Sequence, residues 1–137
     1  MFYFIYVNKG IKMKLPQDLH YTKEHVWLKH VEGDVWITGI TDHAQELLGD
    51  IVFVDAPKVG SHITQTSPCG LVESVKTGAD LHAPMSGEVI ELNADLASNP
   101  QLINDHPYKT WIYKFKANST KDDAGLLNAD EYEALLN

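Results

Sequence analysis

Two alternating apolar runs, separated by a short break that holds a single lysine, constrain this 137-residue chain more than any other feature. Gly70-Leu71-Val72-Glu73-Ser74-Val75 leads into Lys76, and Thr77-Gly78-Ala79-Asp80 interrupts the pattern. The pattern resumes as Leu81-His82-Ala83-Pro84, a Met85-Ser86-Gly87 turn and Glu88-Val89-Ile90-Glu91-Leu92. Alternation with a period of two marks half-buried strands, and the small-residue break marks a turn. The segment therefore predicts a β-hairpin with Lys76 at its tip. A lysine amine ends a flexible stem clear of the backbone. Such a residue is either a solvated charge or an attachment point for a prosthetic group.

The rest of the chain reads mostly as short strands. Residues 25–30 and 35–41 alternate around Glu32-Gly33-Asp34, a hairpin signal. Thr41 or Asp42 can cap a short helix over residues 42–48, which Gly49 ends. Residues 51–54 form an apolar strand closed by Pro57, and 59–67 hold a turn and a weak strand. Residues 93–107 are rich in Asn, Asp and Pro, which predicts a helical turn or loop. Residues 110–116 alternate as a final strand. Ser119 or Thr120 then opens a helical segment in which Asp122 and Asp123 favour the N-terminus. Asn128 and Glu131 resemble a capping box, with Tyr132, Leu135 and Leu136 as the buried stripe. Short strands with a terminal helix predict a mainly β fold, a small sandwich or flattened barrel.

Residues 1–14 differ in character. They carry three lysines and no acid, and the apolar stretch 2–7 is shorter than a secretory h-region and lacks a positive segment before it. They are expected to be a disordered tail or an upstream-start extension, with Met13 the natural start. Residues 15–137 are expected to form the domain. That domain holds the other eight of eleven lysines against 19 acids, a net charge of −11, and the chain has no arginine. Nucleic acid is disfavoured, because phosphate backbones need a basic footprint. No apolar run reaches the length of a membrane span. The single Cys69 allows no internal disulfide and reads as a small buried hydrophobe. His20, His25 and His30 are spaced by five, so on a strand His25 faces away from the other two, and no metal motif supports them. No Ser/His/Asp order or phosphate loop stands out.

Beyond these readings, the sequence resembles the glycine cleavage H-protein family over residues 21–136. The likeness rests on Thr22-Lys23-Glu24-His25, on Gly39-Ile40-Thr41-Asp42-His43-Ala44-Gln45-Glu46-Leu47-Leu48-Gly49-Asp50 and on Val52-Phe53-Val54. It continues through Val72-Glu73-Ser74-Val75-Lys76, Ala83-Pro84-Met85-Ser86-Gly87-Glu88-Val89, Asn93 with Leu96, and residues 131–135. The resemblance implies a lipoyl/biotinyl-carrier-type β-sandwich, a flattened barrel hybrid with short helices and a C-terminal helix. It implies lipoic acid in amide linkage to Lys76 within Glu73-Ser74-Val75-Lys76. Biotin carriers typically present Met-Lys-Met and dehydrogenase lipoyl domains Asp-Lys-Ala, so the tip disfavours a biotin carrier or an unmodified interaction domain.

The implied role is a monomeric, non-catalytic shuttle. The P protein decarboxylates glycine and loads an aminomethyl group on the arm, the T protein passes the one-carbon unit to tetrahydrofolate, and the L protein reoxidises the arm. A lipoate ligase or a lipoyl/octanoyl transferase attaches the arm. The compartment implied is the bacterial cytoplasm, with the mitochondrial matrix as alternative. Asp80 matches a position that holds the cationic amine, while a turn residue is the plainer reading. Where the family usually reads His-Glu-Trp, this chain reads His25-Val26-Trp27, so one amine-holding acid is missing. Glu24, two residues away on the same strand face, is the expected substitute, and weaker sequestration of the loaded arm is expected. A relay that hands lipoate to 2-oxo acid dehydrogenase complexes is the alternative function, because a relay needs no amine-binding acid. Thr77-Gly78-Ala79 after the lysine and the glycine-free Tyr108-Lys109-Thr110-Trp111 are further departures.

Overall fold

The computed structural model describes residues 15–137 in full, together with the backbone of two N-terminal strands. Those are β1 (Phe4–Val7) and β2 (Gly10–Met13), which pair antiparallel. The remainder of the expected 1–14 tail lies outside the described residues.

The domain begins with β3 (His20–Tyr21), β4 (Val26–Glu32) and β5 (Val35–Ile40), followed by helix α1 (Asp42–Leu48). Next come β6 (Ile51–Asp55), β7 (His62–Ile63), β8 (Pro68–Ser74), β9 (Gly78–His82) and β10 (Gly87–Leu92). Two one-turn helices, α2 (Asp95–Ser98) and α3 (Leu102–Asp105), precede β11 (Tyr113–Ala117). The chain ends with α4 (Lys121–Ala124) and α5 (Ala129–Leu136). Six strands form one antiparallel sheet in the order β3-β4-β5-β11-β10-β7, and β6-β8-β9 form a second. The mainly β sandwich expected from the strand pattern is the observed architecture.

Local chemistry explains the element ends. Thr41 caps α1, its side chain accepting from Ala44 N–H, and Gly49 closes it at φ 86°, a value few L residues adopt. Thr120 caps α4 in the same way. The capping box at α5 is present in both directions, Asn128 accepting from Glu131 N–H and Glu131 accepting from Asn128 N–H.

Four details differ from the sequence expectation. Leu135, expected in the buried stripe of α5, is 43% exposed. The strand returning from the lysine tip starts at Gly78 rather than Leu81, and residues 87–92 belong to the other sheet. Residues 83–86 are thus a crossover between the layers, which local alternation cannot distinguish from a continuing arm. The final strand starts at Tyr113, not Thr110, because Thr110 N–H is taken by His106 O at 2.9 Å. Glu24 is not on β4; it sits in the turn before it, where His25 N–H donates to Thr22 O at 3.1 Å.

Two cores result. The larger lies between the sheets and includes Leu28, Ile40, Val72, Leu81, Val89 and Phe115. The smaller covers the other face of the six-stranded sheet and joins Leu15, Leu19, Tyr21, Trp27, Ala129 and Tyr132. Val26, Trp27 and Leu28 are therefore all buried in succession, since β4 has core on both sides.

Candidate functional site

The β8–β9 hairpin carries Lys76 at its tip, exposed together with its neighbours Val75 and Thr77. Ser74 closes the tip. Its hydroxyl accepts from Thr77 N–H at 3.1 Å and Lys76 N–H at 3.3 Å, and can donate to Thr77 O at 3.1 Å. Its own N–H donates to Thr77 O at 2.7 Å. A short polar side chain that bonds to nearby backbone is what a tight turn needs. The tip also rests on the turn after α1. Val75 N–H donates to Asp50 O at 3.0 Å. A Cβ on Gly49 would lie 3.3 Å from Lys76 Cε, so the lysine stem passes over a position without a side chain.

Beside the tip, between β9, α1 and the start of β4, lies a cleft of about 280 Å³. Its walls are apolar, formed by Val26, Ile40, Leu47, Leu48, Val72 and Leu81. Glu24, His25 and Asp80 also reach it. Glu24 and Asp80 thus line one opening, which the lysine tip borders through Thr77, while the Lys76 stem itself lies over Gly49. The hairpin register places Ala79 opposite Val72 and Leu81 opposite Gly70 on the inner face. Asp80, opposite Leu71, therefore belongs to the outer face and meets the cleft at its rim. Glu73, opposite Gly78, is exposed on that outer face too, away from the cleft.

Several residues of the site had no site role read from the sequence. Gly49 and Asp50, which seat the tip, looked like a helix end and its successor. His25 is the other. It takes a left-handed φ of 65°, and its Nδ1 lies 2.7 Å from Tyr132 Oη, which is 2.9 Å from Thr41 Oγ1. The wall of the cleft is thereby tied to α5 and to the cap of α1. Burial pushes the Tyr132 phenol up to about 12, so it remains protonated and able to donate at neutral pH.

His25 and His20 predict a pH dependence. Burial and then the neighbouring His43 lower the pKa of His25 below its ordinary 6.5, while Glu24 opposes. Burial, Lys121 and His30 lower that of His20, against Asp122. The unfolded chain therefore binds protons that the folded chain resists. Stability is fully present above pH 6.5 and is lost as acid carries the pH down from there through the lowered folded values. The urea midpoint should fall between about pH 7 and about pH 5, and the fall should flatten in a His20→Gln, His25→Gln double variant. An equal fall in that variant would assign the effect to other groups.

His20 and His30 flank Trp36, with ring centroids 5.7 and 5.0 Å from it, whereas His25 is elsewhere, 4.6 Å from His43. Among the described residues no group of three or more His, Cys, Asp or Glu could hold a metal. Among them, too, no helix is long and apolar enough to cross a membrane. Cys69 is half-buried, its thiol pushed up by burial and 3.6 Å from Tyr113 Oη.

An apolar cleft beside an exposed, backbone-braced lysine suits a largely hydrocarbon chain attached to Nζ and folded back along the wall. Two layered sheets with a lysine on a hairpin tip define a carrier-type β-sandwich of the lipoyl/biotinyl kind. A family model described as glycine cleavage H-protein matches residues 19–137. The glycine cleavage system H protein of Methylobacillus flagellatus is 53% identical over 124 residues, covering 90% of this chain and 99% of that one. That of Acinetobacter baumannii is 52% identical over 125 residues, covering 90% and 100%. A crystal structure of a glycine cleavage system H protein from Mycobacterium marinum superposes with a TM-score of 0.79 at 38% identity, over 88% of this chain and 97% of that one. The chain belongs to the glycine cleavage H-protein family.

Proposed function

We propose that this chain is the lipoyl-bearing shuttle of the glycine cleavage system. It is a non-catalytic carrier that takes an aminomethyl group from the P protein to the T protein and presents its reduced arm to the L protein. The observation that carries the reading is Lys76, exposed on a braced tip whose next residue, Thr77, lines an apolar cleft, in a chain of this family. Lipoic acid bound through an amide to Lys76 Nζ supplies the dithiol–disulfide chemistry.

The chain's own residues bind, orient and shield. Ser74 and the Asp50 carbonyl fix the tip, so a lipoate ligase or lipoyl/octanoyl transferase meets one geometry. Glu73 and Ser74 belong to that recognised tip. The apolar walls exclude water from whatever the arm carries. Glu24 and Asp80 provide carboxylates at the rim that pair with a cationic amine. Val26, 2% exposed and apolar, adds none. The protein works as a monomer in the bacterial cytoplasm.

The test is glycine–bicarbonate carboxyl exchange by the P protein, with this chain lipoylated as co-substrate. Exchange that depends on the lipoylated form supports the shuttle. Absence of exchange with fully lipoylated chain would leave the lipoate relay to 2-oxo acid dehydrogenase complexes, a reading that Val26 favours because a relay has no amine to hold.

A further inference from the structure

The turn that seats the lysine tip is itself gripped from far along the chain. Asn104, on α3, donates through Nδ2 to Gly49 O at 2.9 Å and accepts from Ile51 N–H through Oδ1 at 2.9 Å. Nδ2 also donates to Gln45 Oε1 at 2.7 Å, and Gln45 Nε2 in turn donates to Asp42 Oδ1 at 2.8 Å. An amide side chain has two donors and one acceptor oxygen. Both donors and the oxygen are spent here on residues 45–51, partners 53 to 59 positions away in sequence. The two backbone contacts bracket Asp50, whose carbonyl receives Val75 N–H at 3.0 Å. Gly49 holds φ 86° and ψ −159°, a conformation glycine tolerates but one that needs outside contacts to persist as the single state.

We propose that Asn104 is a positioning residue for Lys76. By gripping the residues on either side of Asp50 it aims the carbonyl that pins Val75, and so sets where the lysine stands over Gly49, beside the cleft. A carboxylate could not replace it, since it has no hydrogen to give Gly49 O or Gln45 Oε1. The functional consequence rests on Lys76 being the modified residue, whereas the tether can be tested without any modification.

The test is amide hydrogen exchange on the unmodified chain. In Asn104→Ala the Val75 N–H should exchange about tenfold faster or more, while the amides of β5 keep their protection. Ile103→Val is the control: it opens a small space in the core from the same helix, leaves the three bonds in place and should leave Val75 protected. Asn104→Asp should resemble Asn104→Ala, because it loses both donors. In lipoylation by a lipoate ligase, Asn104→Ala should raise the KM for the chain several-fold and leave kcat within about twofold. Unchanged Val75 exchange in Asn104→Ala, or an equal rise in Ile103→Val, would overturn the proposal. Failure of the ligase to modify the wild-type chain would overturn the lipoyl reading instead, with the exchange result still deciding the tether.

Discussion

Lys76→Arg should abolish acylation of the chain altogether. Arginine keeps the charge and nearly the reach of lysine, and it is as well solvated on an exposed tip, so the fold should not notice it. It cannot serve as the acceptor, because the guanidinium stays protonated and delocalised and offers no free amine nucleophile. Protein made in cells supplied with lipoate should gain one lipoyl group in the wild type and none in the variant, read by intact mass. All other lysines remain as internal controls, so the comparison also tests whether the braced tip, rather than amine exposure, selects the site. One group still added in Lys76→Arg would move the attachment point and detach function from the cleft. An unmodified wild type, in cells whose own H protein is lipoylated, would sink the carrier reading or show that Thr77-Gly78-Ala79 takes the tip beyond that host's enzyme. Thermal unfolding of the two proteins should coincide, since Lys76 is exposed.

What the sequence made legible was local. The hairpin around Lys76, helix Asp42–Leu48 between Thr41 and Gly49, and the Asn128–Glu131 capping box are each written in a few adjacent residues, and each is in the structure. Ser74 sat in the motif, but its turn-closing bonds depend on how the backbone of Thr77 folds back on it. What depends on distant partners was not legible. Val26-Trp27-Leu28 is buried on both faces, so β4 shows no alternation along those three residues, and nothing local says that a second core lies behind Trp27. Glu24 seemed to share a strand face with Val26. The left-handed φ of His25 breaks the extended chain between them, so the two reach the cleft from a turn and from a strand. The cleft itself is made from three separated stretches of chain, and its seat is tied by Asn104 in a region that composition marks only as a connection.

Trp27→Ala should cause the largest loss of stability of any single truncation in the smaller core. The indole is 1% exposed, and its Nε1–H donates to Pro107 O at 2.9 Å. Its ring lies so close to Gly39 that a Cβ there would sit 2.8 Å from it, which means the strand partner was kept small to admit it. Removing it leaves a cavity and an unpaired buried carbonyl, at about 3–5 kcal/mol by the usual cost of emptying an aromatic site. That is a large share of the ~5–15 kcal/mol that holds a domain together. Trp27→Phe keeps most of the volume and loses the hydrogen bond, so it should cost about 1–2 kcal/mol, much less than the alanine. Urea unfolding measures both, and an alanine variant within about 1 kcal/mol of wild type would show that the core closes around the gap. The consequence reaches the site through Tyr132. That residue stacks on Tyr21 at 4.9 Å, shares the core with Trp27, and carries the hydroxyl that meets both His25 and Thr41. Loosening the smaller core therefore frees the histidine on the cleft wall and the cap of α1 together. In Trp27→Ala the His25 titration, followed by NMR, should rise toward its ordinary value as water reaches the ring. The second core, on the far side of the sheet from the cleft, is thus part of what holds the cleft wall in place.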